Sequence, residues 1–202
     1  MTDIRRMTDE LAASLFEKRI VLLDHELSPI NARFVHTALL MLDDHSSEPI
    51  EMRFRSGGGN ASAGLMIYDT IRALRSPVTA FVFSAGSAAS VILQGCDRRV
   101  CFESSAILVH SVGPSAEGLE NLRYNKYFHE QINSLEKTLS VMQDRICEIY
   151  LARTKMTKKR LKKVMLEGDM YERWVYGKEA LELGLVDEVI DSEFKFDQLI
   201  TI

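Results

Sequence analysis

Apolar and polar residues along this chain follow two periods, and the changes between them mark its elements. Arg19-Ile-Val-Leu-Leu23 is a short apolar run and reads as a buried strand. Residues 29–44 have helical spacing, with Ile30, Phe34, Ala38 and Met41 on one face. The polar segment His45-Ser-Ser-Glu-Pro49 interrupts the pattern, and Ile50-Glu-Met-Arg-Phe54 alternates as a strand does. The loop Arg55-Ser-Gly-Gly-Gly-Asn60 opens a helical stretch over residues 61–74, which Ser76-Pro77 ends. A strand at residues 78–83, a helix at 87–94 and short strands at 99–102 and 106–110 follow. The chain closes with a short helix over residues 177–184, stopped by Gly184, and a strand over 185–190. Strand and helix alternate throughout, which predicts α/β layers around a largely parallel sheet, in a single domain spanning residues 1–202.

Residues 117–153 break this rhythm. They contain no proline and one glycine, Gly118. Phe128, Ile132, Leu135, Leu139, Met142, Ile146 and Ile149 recur at spacings of four and three, a heptad-like seam narrower than the face of an ordinary core helix. The pattern predicts a helix about 50 Å long, too long for so small a domain to cover. It either lies along the domain surface or projects and meets the same helix of another subunit. The persistence of the stripe favours the second arrangement.

Composition removes several classes. The chain has 202 residues, 46% hydrophobic and 27% charged, with a net charge of −4. That is an ordinary soluble globular balance, and it does not suggest a nucleic-acid partner. The basic run Lys158-Lys-Arg-Leu-Lys-Lys163 reads as the wetted face of a helix. Three cysteines without secretory context fit a reducing compartment. The charged N-terminal segment holds no signal core, and no segment approaches the ~20 apolar residues of a membrane span. A cytoplasmic location is expected. Neither the histidines nor the cysteines have metal-ligand spacing, so no metal or cofactor is expected.

The chemistry concentrates between Gly86 and His110. Gly86-Ser-Ala-Ala-Ser90-Val91 lies where a strand turns into a helix, among residues too small to shield a hydroxyl. Serine attacks only when a base takes its proton. His110 closes the apolar run Ala106-Ile-Leu-Val-His110, and a parallel strand ending there would bring its imidazole to the same sheet edge. Ser90 is the expected nucleophile and His110 the base. Ser87 and Ser56 are the neighbouring serines that active-site labelling must exclude. Gly57-Gly58-Gly59 allows backbone N–H groups to approach a substrate, so the N–H of Gly59 and that of Val91 are the expected oxyanion donors, with Gly58 as a further candidate.

Together these residues resemble a known family. Ser56-Gly-Gly-Gly59, Ala63-Gly64, Ile67-Tyr-Asp-Thr70, Gly86-Ser-Ala-Ala-Ser90, His110 and Gly184-Leu-Val-Asp187 are similar, in order and spacing, to the Clp protease proteolytic subunit, ClpP, in its divergent or phage-type form. The resemblance covers the chain from about Leu15 to Ile190. It implies the crotonase-like αβ superhelix with a projecting handle helix, here residues 113–153. It further implies a Ser-His-acid triad that hydrolyses polypeptide substrates inside a chamber of two stacked heptameric rings. Such a tetradecamer would be a homo-oligomer or a mixed ring with a paralogous subunit, fed by an ATPase unfoldase. Gly57 stands where the family usually has proline, and the interval from Ser90 to His110 is short. Aligning on Trp174 and Gly184-Leu-Val-Asp187 puts Glu172 at the family's acid position, whereas counting forward from the helix at residues 157–166 brings Asp169 there. A non-catalytic ring subunit, a crotonase-fold acyl-thioester enzyme and a scaffold without chemistry are the competing readings.

Overall fold

The computed structural model describes residues 11–114, 119–120, 122–167, 172–191 and 193–194. After helical residues 11–17, the elements run β1 (Ile20–Leu23), α1 (Pro29–His45), β2 (Ile50–Ser56), α2 (Ala61–Ala73), β3 (Val78–Gly86), α3 (Ala88–Leu93) and β4 (Arg98–Leu108). They continue with α4 (Phe128–Arg153), α5 (Lys158–Leu166), β5 (Trp174–Tyr176), α6 (Gly177–Leu183) and β6 (Glu188–Ile190). One six-stranded sheet has the order β1-β2-β3-β4-β5, with β6 paired to β4 off this path. Strands β1 to β4 are parallel neighbours, joined by helical crossovers as parallel pairing requires. β5 runs antiparallel to β4, and β6 runs parallel to it.

The segments read as two strands at residues 99–102 and 106–110 form one strand, β4, with a slip inside it. Thr79 pairs with Arg98 and Val82 with Cys101, but Ser84 pairs with Ala106 and Gly86 with Leu108. The offset grows from 19 to 22, so β4 carries three extra residues. Ser105 Oγ stitches the irregularity by donating to Val82 O and accepting from Phe102 N–H. The lower half of β4 then pairs with β6 and the upper half with β5.

Local chemistry sets the helix starts. Ser28 Oγ accepts the Asn31 N–H at the head of α1, and Asn60 Oδ1 accepts the Ala63 N–H at the head of α2. Helix α1 is apolar on two sides. Ala32, Val35, Leu39 and Leu42 enter the core, whereas Ile30, Phe34 and Met41, the stripe singled out by spacing, are 64%, 65% and 57% exposed. Spacing found a face of this helix but could not say which face the sheet covers.

The long helix is shorter than the segment 117–153 read as helical, although it contains the whole apolar seam. Residues 122–124 are not helical, and α4 begins at Phe128. Asn125 interrupts it: its Oδ1 accepts the Tyr127 N–H at 2.8 Å, a local turn that competes with helix. The 26 residues of α4 span about 39 Å. Only its C-terminal part, at Ile146, Ile149 and Tyr150, is buried. Further out, Phe128, Leu135, Leu139 and Met142 are half-buried and Ile132 is exposed. Among the described residues, no helix is long and apolar enough to cross a membrane.

Candidate active site

The C-terminal ends of β3 and β4 bring the chemical residues together. Gly86 pairs with Leu108, so Ser87 and Val109 leave the sheet side by side, and His110 follows one residue later. The Ser87 N–H donates to Leu108 O at 3.0 Å, which holds the turn after β3 against the end of β4. Ser87 has φ 52° and ψ −122°, a backbone state that side chains rarely adopt. Such a state costs ~1–3 kcal/mol and persists only where its surroundings impose it. A strained serine on a strand-to-helix turn, presented at the edge of a sheet, is the geometry of a nucleophile elbow. Ser87 is half-buried.

Ser90 has a different environment. It lies one turn into α3 and is 0% exposed. Its hydroxyl is within hydrogen-bond range of Ser87 O at 2.7 Å, Leu108 O at 2.8 Å and the Tyr150 phenol at 2.5 Å. No hydrogen bond joins it to His110. A nucleophile must reach a substrate carbonyl, and a hydroxyl so enclosed does not, so the expectation of Ser90 conflicts with its surroundings. Val91 is displaced for a related reason. Its N–H donates to Ser87 O at 3.4 Å, inside the helix.

The glycine loop meets this turn directly. Gly58 and Gly59 have φ of 101° and 136°. A Cβ on Gly58 would stand 2.7 Å from Ser87 Cβ and 2.9 Å from Ala88 N, and one on Gly59 would stand 2.4 Å from Leu27 O. The loop backbone therefore lies in contact with Ser87 and the first amide of α3. The Gly58 N–H is already taken by Ser56 Oγ at 3.2 Å. Gly57 has open space around it. The isolated bridge between Leu27 and Gly59, with Leu27 N–H donating to Gly58 O and Asn60 N–H to Leu27 O, fixes the loop from its far side.

β5 brings the acid. Its antiparallel register pairs Ala106 with Tyr176, Ile107 with Val175 and Leu108 with Trp174. Extended two positions beyond its last pair, Leu108–Trp174, the same register would set Glu172 across from His110. Arg173 pins the adjacent backbone through ion pairs with Glu167 and Glu179. Beyond His110, the Val112 N–H donates to Gln143 Oε1 on α4 at 2.8 Å. Glu172 is exposed, and Asp169 lies outside the described residues. No hydrogen bond links Ser87, His110 and Glu172 in the isolated subunit. Catalytic contacts are often long until substrate or a partner tightens them. Trp174 packs its ring edge against Gly86, where a Cβ would come within 2.9 Å, so it buttresses the strand that feeds the turn. Among the described residues no cluster of His, Cys, Asp or Glu is arranged to hold a metal ion.

The sequence expectation rests on Ser90 and names Ser87 only as a neighbouring serine, yet the two differ in sequence context. Ser87 directly follows Gly86 at the end of an apolar strand, whereas Ser90 stands a turn deeper among Ala88, Ala89 and Val91.

Comparison with known proteins agrees with this architecture. The Clp protease family model matches residues 4–193. ATP-dependent Clp protease proteolytic subunit 1 of Streptomyces avermitilis is 31% identical over 191 residues, covering 93% of this chain and 82% of that one. The ATP-dependent Clp protease proteolytic subunit of Deinococcus radiodurans is 30% identical over 186 residues, covering 90% and 85%. A solved ClpP1 mutant from Listeria monocytogenes shares the fold at a TM-score of 0.76 and 24% identity, over 94% of this chain and 99% of that chain. A strained serine turn, a glycine loop against it and a histidine strand beside it thus occur in a chain that, by sequence over nearly its whole length, belongs to the Clp protease family.

Proposed function

We propose that this chain, as one peptidase domain, is a serine endopeptidase subunit in which Ser87 attacks the scissile carbonyl. His110 takes the proton from Ser87 Oγ and returns it to the leaving amine. Glu172 orients the imidazole and balances its charge while it is protonated. The N–H groups of Ala88 and Gly59 receive the oxyanion, which forms where the Gly58 backbone lies against Ser87. The observation that carries this reading is the contrast between two serines three residues apart. Ser87 has left-handed backbone at the sheet edge, and Ser90 is enclosed with its hydroxyl engaged.

Family membership supports assembly into rings around a chamber, with two heptamers meeting through α4. It equally supports polypeptide substrates unfolded by an ATPase, in keeping with the ATP-dependent subunits to which the chain is similar. The half-exposed seam of α4 is the surface such a contact would use. The test is labelling with a fluorophosphonate followed by peptide mapping. The adduct is expected on Ser87, and Ser87→Ala should abolish both labelling and peptide hydrolysis while native mass stays unchanged. An adduct on Ser90, or full activity in Ser87→Ala, would overturn the assignment.

A further inference from the structure

We propose that the Ser90 hydroxyl, held by the Tyr150 phenol, is a positioning group for catalysis that fixes the turn of the attacking serine to the strand end carrying the base. This rests on reading Ser87 as the nucleophile.

The argument begins with two polar groups in a dry place. Ser90 and Tyr150 are 0% and 1% exposed. Ala88, Ala89 and Val91 surround Ser90 in sequence, and an alanine at position 90 would fill much the same space. Only polarity distinguishes serine there, and a buried hydroxyl without partners costs ~1–3 kcal/mol. Ser90 Oγ lies 2.7 Å from Ser87 O and 2.8 Å from Leu108 O. Leu108 O is also the acceptor of the Ser87 N–H. One hydroxyl therefore sits between the carbonyl of the strained residue and the carbonyl that receives its amide, bracing Ser87 on both sides. Ser90 has a single proton to donate, and it goes to these carbonyls. Tyr150 then donates its own proton to Ser90 Oγ, across 2.5 Å. Burial raises the phenol pKa, only partly opposed by the bond to Ser90, so Tyr150 keeps that proton at neutral pH.

The placement gives the pair its consequence. Leu108 is two residues before His110, and Tyr150 belongs to the buried base of α4. Gln143 of the same helix holds Val112, two residues after His110. The strand end bearing the base is thereby tied to α4 on both sides of His110, and the Ser87 turn is tied to the same helix through Ser90. A shift of about 1 Å between nucleophile and base typically costs ~10²-fold in rate, so a tether of this kind acts on turnover more than on binding.

The experiment compares Ser90→Ala, Tyr150→Phe and the double variant in the full chain. It measures kcat and KM on a fluorogenic peptide, the rate and final extent of fluorophosphonate labelling, and native mass. Each single variant is expected to lower kcat about 10- to 100-fold, with KM changed less than about twofold. The labelling rate should fall in parallel, yet labelling should still go to completion on Ser87. The double variant should be no worse than the poorer single one, because both remove the same contact. Wild-type kcat in both single variants, additive losses, or activity lost only in step with assembly would each overturn the proposal. If Ser90→Ala fails to assemble, Tyr150→Phe, which removes one oxygen atom, decides by the same criteria. A Ser90→Ala variant that never labels, beside a Ser87→Ala variant that does, would instead show that Ser90 itself attacks and that the Ser87 reading was at fault.

Discussion

Gly57, Gly58 and Gly59 look alike in the sequence and differ sharply in the fold. Gly57 has open space, whereas a Cβ on Gly59 would run into the Leu27 backbone at 2.4 Å, at a φ of 136°. Gly57→Ala should therefore leave activity near wild type and raise stability slightly, by at most ~0.4–1 kcal/mol. Gly59→Ala should lose most peptidase activity, since the loop must shift off the Leu27 backbone and carry its proposed oxyanion donor out of place; losing one such donor typically costs ~10²–10³ in turnover. Steady-state kinetics beside thermal melts of both variants checks the pair. The two carboxylates separate in the same way. Glu172→Gln should depress kcat far more than Asp169→Asn, because the β4–β5 register, whose last pair is Leu108–Trp174, would set Glu172 opposite His110 if extended two positions. The reverse order in a kinetic comparison would place the acid at Asp169.

Helix α4 shows what periodicity does and does not reveal about an element. The seam through Leu135, Leu139, Met142 and Ile146 is real, but its inner end packs on the core and only its outer turns remain half-exposed. The seam starts at Phe128, where α4 does; the proline-free stretch before it is not all helical, because the Asn125 side chain turns the backbone there with one hydrogen bond. Leu135→Asp combined with Leu139→Asp puts two charges into that seam, each costly to bury unpaired. The double variant is expected to fall to single rings or smaller species by native mass spectrometry and to lose most activity. A helical signal equal to that of the wild type would show that the chain itself still folds.

Across the whole molecule, one buried cation joins distant parts of the chain. Arg99 on β4 is 4% exposed and grips Asp187, which precedes β6, through both carboxylate oxygens. It also donates to Gln94 Oε1 and Arg153 O, so it links α3, the end of α4 and the C-terminal strand. Burial alone would raise the Asp187 pKa, but the hydrogen bonds and charge of Arg99 outweigh this and hold it below the ordinary value. A carboxyl depressed in the folded state stabilises above its unfolded pKa, about 3.9. That contribution is lost as pH falls through the lower folded value. Acid unfolding of the wild type should accordingly steepen below about pH 4. Asp187→Asn should be less stable at pH 7 by about 2 kcal/mol, less than the ~3–5 kcal/mol of a fully enclosed pair because Asp187 is 42% exposed. Its stability should also depend less on pH in that acid range. Denaturant titrations at pH 7 and below pH 4 test both statements.

The alternation of strand and helix, the glycine loop before α2, the apolar run that leads into His110 and the apolar seam of α4 were all legible in the sequence, although β4 itself stops at Leu108. All of these follow from local chemistry: side-chain period, glycine and proline placement, and the small residues around Ser87. Its motifs, read together, also pointed to the family. Only the tertiary structure decided which side of α1 faces the sheet, that two short runs form one slipped strand, and which of two serines is presented. Ile30 and Val35 are equally apolar, and Ser87 and Ser90 carry the same hydroxyl; what separates them is contact with residues far along the chain. Tyr150 closes over Ser90 from sixty residues away, and the β4 backbone holds Ser87 in a conformation that no neighbour in sequence imposes.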